Sequence, residues 1–215
     1  MGQIQVSSVE RQERGKVRIG FENGTYLLLY RGEIQKLSRQ YGQELMEEGV
    51  CIPETLYQKM LYEIVGVRAK KRAVYLLEQM DRTEKQLSGK LAQNGYPKEC
   101  IETAIAFLKQ HHYLDDERYA QNYIRCRQNK KSRQRLKADL AAKGIAGETI
   151  ESAFAEEYEA DEAIQIRQLL DKRHFKYGSS DRKELMRTYQ FLIRRGFRSS
   201  DILREMQADI FLYEV

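Results

Sequence analysis

Between Arg125 and Lys137 the chain places seven bases, Arg125, Arg127, Lys130, Lys131, Arg133, Arg135 and Lys137, with no acid among them. Their local positive potential far exceeds what a net charge of +5 implies, and the counterparts that such a run attracts are phosphates or acidic protein surface. A second acid-free stretch, residues 185 to 200, carries Arg187, Arg194, Arg195 and Arg198. Together these residues form the candidate contact surface. A basic run on a helix is also what an ordinary solvated face looks like, so the run alone does not decide its use.

Other residue groupings offer less chemistry. Asp115 and Asp116 follow His111 and His112, an arrangement open to a metal reading, but aspartate at a helix start satisfies free N–H groups and suits the helix dipole. The latter is the expectation, and no metal or cofactor is expected. Tyr113, Tyr119 and Tyr123 could stack on bases; their helical spacing beside Ala120 and Ile124 favours core packing instead. His174 stands alone and reads as structural. Cys51, Cys100 and Cys126 fit neither a disulfide framework nor a zinc site, and are expected as reduced, buried thiols. No GxSxG, HExxH, CxxC, GxGxxG or GxxxxGK[ST] pattern occurs, so no catalytic residue is assigned.

The elements that must position the bases are helical. The chain has 215 residues, 41% hydrophobic and 32% charged, and only two prolines, Pro53 and Pro97, interrupt it. That composition folds as a mainly α protein with long helices, and it lacks both a signal-peptide layout and an apolar run long enough to span a bilayer. A cytoplasmic location is expected.

Residues 1 to 66 read as a separate module. Val17, Ile19 and Phe21 alternate towards Asn23-Gly24, which predicts a type I′ hairpin with Phe21 opposite Tyr26, Ile19 opposite Leu28 and Val17 opposite Tyr30, all on one face. Ile4 to Ser7 can add a strand. Helical spacing follows at Ile34, Leu37 and Tyr41, and a further helix opens at Pro53.

Beyond residue 66 the chain repeats itself. Gly95, Gly144 and Gly196 each follow a leucine by four residues (Leu91, Leu140, Leu192), precede an apolar residue (Tyr96, Ile145, Phe197), and have isoleucine six residues on (Ile101, Ile150, Ile202). Thr83 and Ser132 stand twelve residues before the first two glycines as helix caps, whereas Glu184 occupies that position in the third copy. Glycine at a helix end supplies the left-handed residue. The spacing therefore predicts three units of three helices, at 67–116, 117–161 and 162–215, stacked as an elongated curved array.

The stretches Gly95-Tyr96-Pro97, Tyr113-Leu114-Asp115-Asp116-Glu117-Arg118-Tyr119-Ala120 and Lys143-Gly144-Ile145 resemble the RecX family of bacterial recombination regulators, over about Arg72 to Ile202. The resemblance implies a non-enzymatic, modular helical protein that binds RecA recombinase filaments on single-stranded DNA and restrains their ATPase, strand-exchange and co-protease activities. The hairpin-bearing N-terminal extension is similar to that of RecX proteins from low-GC Gram-positive bacteria. With this resemblance, the bases of residues 125–137 and 187–198 are expected to meet the filament, by a monomer. A stand-alone nucleic-acid-binding protein and a passive helical scaffold remain the alternatives.

Overall fold

A computed structural model describes residues 2–42, 44, 47–177 and 181–207. Its contacts divide the chain into two units, Met1–Asp115 and Asp116–Val215.

The first unit opens with strands β1 (Gln3–Arg11), β2 (Lys16–Phe21) and β3 (Tyr26–Tyr30), helix α1 (Arg31–Tyr41), and a short strand β4 (Cys51–Pro53). They form one antiparallel sheet in the order β3-β2-β1-β4. The hairpin forms, but one residue away from the expected register. Val17 pairs with Leu29, Ile19 with Leu27 and Gly20 with Tyr26, and the Phe21 N–H donates to the Thr25 carbonyl. The reason lies in the turn. Among its residues only Gly24 takes a positive φ, of 79°, so Phe21 to Gly24 form an ordinary turn closed by a left-handed glycine, a three-residue loop in place of the two-residue type I′ connection. A one-residue slip turns every side chain of β3 over. Leu27 and Leu29 are therefore buried with Val17, Ile19 and Phe21, while Tyr26 and Tyr30 face solvent.

The buried face of the sheet is covered by a continuous helical run: α2 (Glu54–Gln58), a π-helical stretch (Lys59–Gly66) and α3 (Val67–Gln79). Backbone angles at Gln58, Lys59, Gly66 and Val67 are all right-handed helical, so the run passes through residue 66 without a break. It carries Leu56, Met60 and Leu61 to the sheet, and Ala69, Ala73 and Leu76 to helices α4 (Glu84–Gln93) and α5 (Lys98–Gln110). The module expected at 1–66 and the three-helix repeat that follows share one core. Each fully buried Leu or Ile in it contributes about 1.5–3 kcal/mol.

Of the three cysteines only Cys100 is buried; Cys51 and Cys126 are exposed, contrary to expectation, and none of the three forms a disulfide. Cys51 lies on the short strand β4, and Cys126 on the outer side of a helix whose inward positions are Ala120 and Ile124. The Cys100 thiol donates to the Leu61 carbonyl within the π-helical stretch at 3.2 Å. Burial pushes its pKa up to about 12, so it stays protonated and unreactive.

The second unit holds α6 (Asp116–Arg127), α7 (Arg133–Ala142) and α8 (Gly147–Glu157), then α9 (Glu162–Lys172), α10 (Arg182–Arg194) and α11 (Ser199–Met206). Three three-helix repeats thus follow one plan, with the first helix packed on the third: α3 on α5, α6 on α8, and α9 on α11. The end of the third, at 208–215, lies outside the described residues. Asp116 opens α6, as an acid at a helix start should. Tyr119 and Tyr123 pack against the Ile124–Leu136–Leu140 cluster, whereas Tyr113, expected in a core, is exposed because it lies beyond the end of α5.

The repeat signature is the hydrogen-bond pattern of a Schellman helix end. The N–H groups of Tyr96, Ile145 and Phe197 donate to the carbonyls of Leu91, Leu140 and Leu192, and the intervening glycines have φ of 82°, 92° and 85°. The motif also brings the residue after the glycine onto the leucine side chain, which accounts for the paired apolar positions. His112 and His174, with φ of 56° and 52°, close α5 and α9 in the same way. In the third repeat the cap missing at Glu184 is supplied by Asp181, whose carboxylate accepts from the Lys183 and Glu184 N–H groups, so α10 is longer by most of a turn.

Candidate partner-binding surface

The first acid-free run straddles the α6–α7 connection. Arg125 and Arg127 close α6, where cations suit the negative end of the dipole; Arg133, Arg135 and Lys137 open α7, where they oppose it. Two features offset that opposition. The Ser132 hydroxyl accepts from the Arg135 N–H at 3.2 Å, and the Glu162 carboxylate accepts from the Arg133 N–H at 2.6 Å. Leu136 and Leu140, both fully buried, fix the inner face of α7, so its bases must point outward.

Several of these bases are committed to carboxylates within their own repeat. Arg125 grips Glu157 through two nitrogens, at 2.5 and 2.9 Å, and this pairing raises the guanidinium pKa and lowers that of Glu157. Lys137 lies 2.5 Å from Glu151, and its hydrogen bonds lower the Glu151 pKa. Asp139 is shared by Lys131 at 2.5 Å and Arg135 at 3.2 Å, with the Tyr123 hydroxyl donating to it at 3.1 Å. Burial alone would raise the Asp139 carboxyl, but these hydrogen bonds and charges hold it below the usual carboxylate range.

Arg127, Lys130, Arg187, Arg194, Arg195 and Arg198 form no ion pair among the described residues, and all are exposed. Arg127 lies over the Tyr123 ring at 4.7 Å, and Arg195 over Phe191 at 4.6 Å, so their guanidinium groups are steered by aromatic faces.

The structure gathers part of the two runs around one cleft in the second unit, with a volume of about 370 Å³. Lys130, Lys131 and Arg135 line one side, Arg194 and Arg195 the other, and Lys172 of α9 completes the set. No carboxylate lines it; Asn129, Gln165 and Gln168 supply its uncharged polar groups. Hydrogen bonds fix the two walls: Ser132 donates to the Arg195 carbonyl at 2.7 Å, and the Gln165 amide to the Gln128 carbonyl at 2.6 Å. Arg133, Lys137 and Arg198 fall elsewhere, around a hollow of about 360 Å³ that also contains Glu162. Arg125, Arg127 and Arg187 line neither. The bases thus divide between faces instead of forming one strip, because alternate residues at the start of α7 point to opposite sides of its axis. Lys172 was not anticipated: a lysine in a last helical turn reads as a dipole partner.

Sequence models for the first, second and third three-helix domains of RecX match residues 69–108, 115–153 and 160–206, together more than half of the chain. A regulatory protein RecX of Clostridium perfringens (strain SM101 / Type A) is 28% identical over 207 residues, covering 92% of this chain and 91% of its own. One from Vibrio parahaemolyticus is 34% identical over 149 residues, 68% of this chain and 94% of its own. Among solved structures, a crystal structure of regulatory protein RecX superposes with a TM-score of 0.62 at 22% identity, covering 96% of this chain and all of the other. RecX from Lactobacillus salivarius gives 0.58 at 24% identity, over 69% of this chain and 97% of its own. At these identities the structural likeness speaks for the fold.

Proposed function

The chain belongs to the RecX family of regulatory proteins, and from that premise we propose that it is a non-enzymatic, monomeric, cytoplasmic regulator that binds RecA recombinase filaments on single-stranded DNA and restrains their ATPase, strand-exchange and co-protease activities. The observation that carries this reading is the acid-free cleft of Lys130, Lys131, Arg135, Lys172, Arg194 and Arg195. Lys131 and Arg135 are already paired with Asp139, but Lys130, Lys172, Arg194 and Arg195 form no ion pair among the described residues, and their convergence favours an anionic partner. Such a partner is either acidic protein surface or exposed phosphate, and a RecA–DNA filament presents both. Contacts at several repeats would add through effective concentration along one filament. Among the described residues no helix is long and apolar enough to cross a membrane.

Titration with salt separates this reading from a stand-alone nucleic-acid binder. The proposal expects binding to recombinase-coated strands to exceed binding to the bare strand at physiological salt, and to fall when Lys130, Arg194 and Arg195 are reversed to glutamate. Equal affinity for bare and coated DNA, with a steep dependence on log salt, would instead assign the cleft to nucleic acid alone.

A further inference from the structure

The first unit carries a second basic surface, built from different elements. The register of the hairpin turns Lys16, Arg18, Tyr26, Leu28 and Tyr30 to the outer face of β2 and β3, and β3 is an edge of the sheet. Two adjoining hollows, of about 470 and 380 Å³, run from this face to the turn at Gly95, sharing Lys16, Leu28, Asn94 and Gly95. Arg68 and Arg72 of α3 close the far wall, and no carboxylate lines either hollow. Glu10 lies 3.7 Å from Arg18 and Glu33 3.7 Å from Arg68, and the Glu33 carboxylate also accepts from the Tyr30 N–H at 2.8 Å, so these two acids border the face.

Exposed aromatic rings alternate with the charges. Tyr26 and Tyr30 are 44% and 42% exposed. Arg18 lies over the Tyr26 ring at 4.2 Å and Arg68 over Tyr30 at 5.1 Å, so each ring already has a cation over one side. Arg68 is held there by donating to the Leu28 carbonyl, and the Arg72 Nε donates to the Asn94 side chain at 3.0 Å. The floor at Gly95 is open: a Cβ added there would meet nothing within 4 Å.

We propose that this face binds a short single strand of nucleic acid, its bases stacking on Tyr26 and Tyr30 and its phosphates meeting Lys16, Arg18 and Arg72. Basic grooves with exposed rings on a sheet are the common solution for unpaired strands, because every base offers a π-face. An acidic polypeptide would use the same cations and gain nothing from the rings. Duplex DNA would reach the cations while its bases remained stacked in the helix. The site is separate from the cleft of the second unit and does not depend on any recombinase.

The test is fluorescence anisotropy of labelled oligothymidylate with the full chain, in the background of Lys130→Glu, Arg194→Glu and Arg195→Glu so that the second unit contributes little. Replacing Tyr26 and Tyr30 together by leucine keeps apolar bulk at the sheet edge and removes the π-face. Affinity is expected to fall about tenfold or more, while the Tyr26→Phe and Tyr30→Phe pair binds as before. Arg18→Glu with Arg72→Glu should flatten the dependence on log salt by about one unit or more. Unchanged affinity of the leucine pair, with an unchanged unfolding midpoint, would overturn the proposal. So would a polyglutamate peptide that competes equally well against the strand on the parent and on the leucine variant, since it would assign the face to acidic protein.

Discussion

The hydroxyl of Ser132 donates to the backbone carbonyl of Arg195 at 2.7 Å while it accepts from the Arg135 N–H at 3.2 Å. One fully buried side chain therefore caps α7 and holds the Gly196 turn of the third repeat against it, setting the two walls of the basic cleft at a fixed spacing. Ser132→Ala removes the cap and leaves the Arg195 carbonyl without this donor. A loss of about 1–3 kcal/mol is expected from denaturant unfolding.

The three turn glycines are not equivalent. All have left-handed φ, so alanine at any of them meets backbone strain of about 1–2 kcal/mol. At Gly95 that is the whole effect, since a Cβ has open space; at Gly196 it would approach the Ser132 oxygen to 2.8 Å and the Arg135 nitrogen to 3.3 Å. Gly196→Ala should therefore destabilise clearly more than Gly95→Ala, and should also disturb binding at the cleft. Equal losses in thermal midpoint would contradict the close approach.

Acid should weaken the second unit through Asp139, Glu151 and Glu157, whose pKa values are all lowered by their basic partners. A carboxyl lowered in the folded state stabilises that state above its unfolded pKa, near 4, and this contribution disappears as pH falls through the lower folded value. Unfolding midpoints should thus decline below about pH 4. Asp139→Asn, which cannot carry the charge that Lys131 and Arg135 share, should reduce that decline and lower stability at neutral pH. A parallel pH profile for the variant would exclude Asp139 as a contributor.

His112 and His174 occupy left-handed positions, with φ of 56° and 52°, that glycine fills at the ends of α1, α4, α7 and α10. His174→Gly should be neutral or stabilising by up to about 1 kcal/mol, the relief of strain being set against added freedom in the unfolded chain. A marked loss in the unfolding midpoint would show that the imidazole makes contacts of its own.

The helical repeats were legible because each helix end imposes a local rule: leucine, glycine and an apolar residue at fixed offsets are what a Schellman end requires. Five features were not. Asn23-Gly24 is compatible with both two- and three-residue hairpin loops, and the choice between them slid Leu27 and Leu29 inward in place of Tyr26 and Tyr30. The strand β4 is only three residues long and is held by pairing with β1, which no local pattern announces. The π-helical stretch carries the chain through residue 66, where a change in composition reads as a boundary. The division of the bases between two faces, and the carboxylates that occupy Arg125, Lys131 and Lys137, depend on how α6, α7 and α8 pack, so a linear run of charge overstated the surface they share. The aromatic–basic face of the first unit escaped for the same reason as the register.

The most direct test is RecA ATP hydrolysis on single-stranded DNA with this protein added below one copy per recombinase. Strong inhibition by the parent chain is expected, with most of it lost on reversing Lys130, Arg194 and Arg195 to glutamate at unchanged stability. Full hydrolysis at stoichiometric amounts of the parent chain would contradict the account.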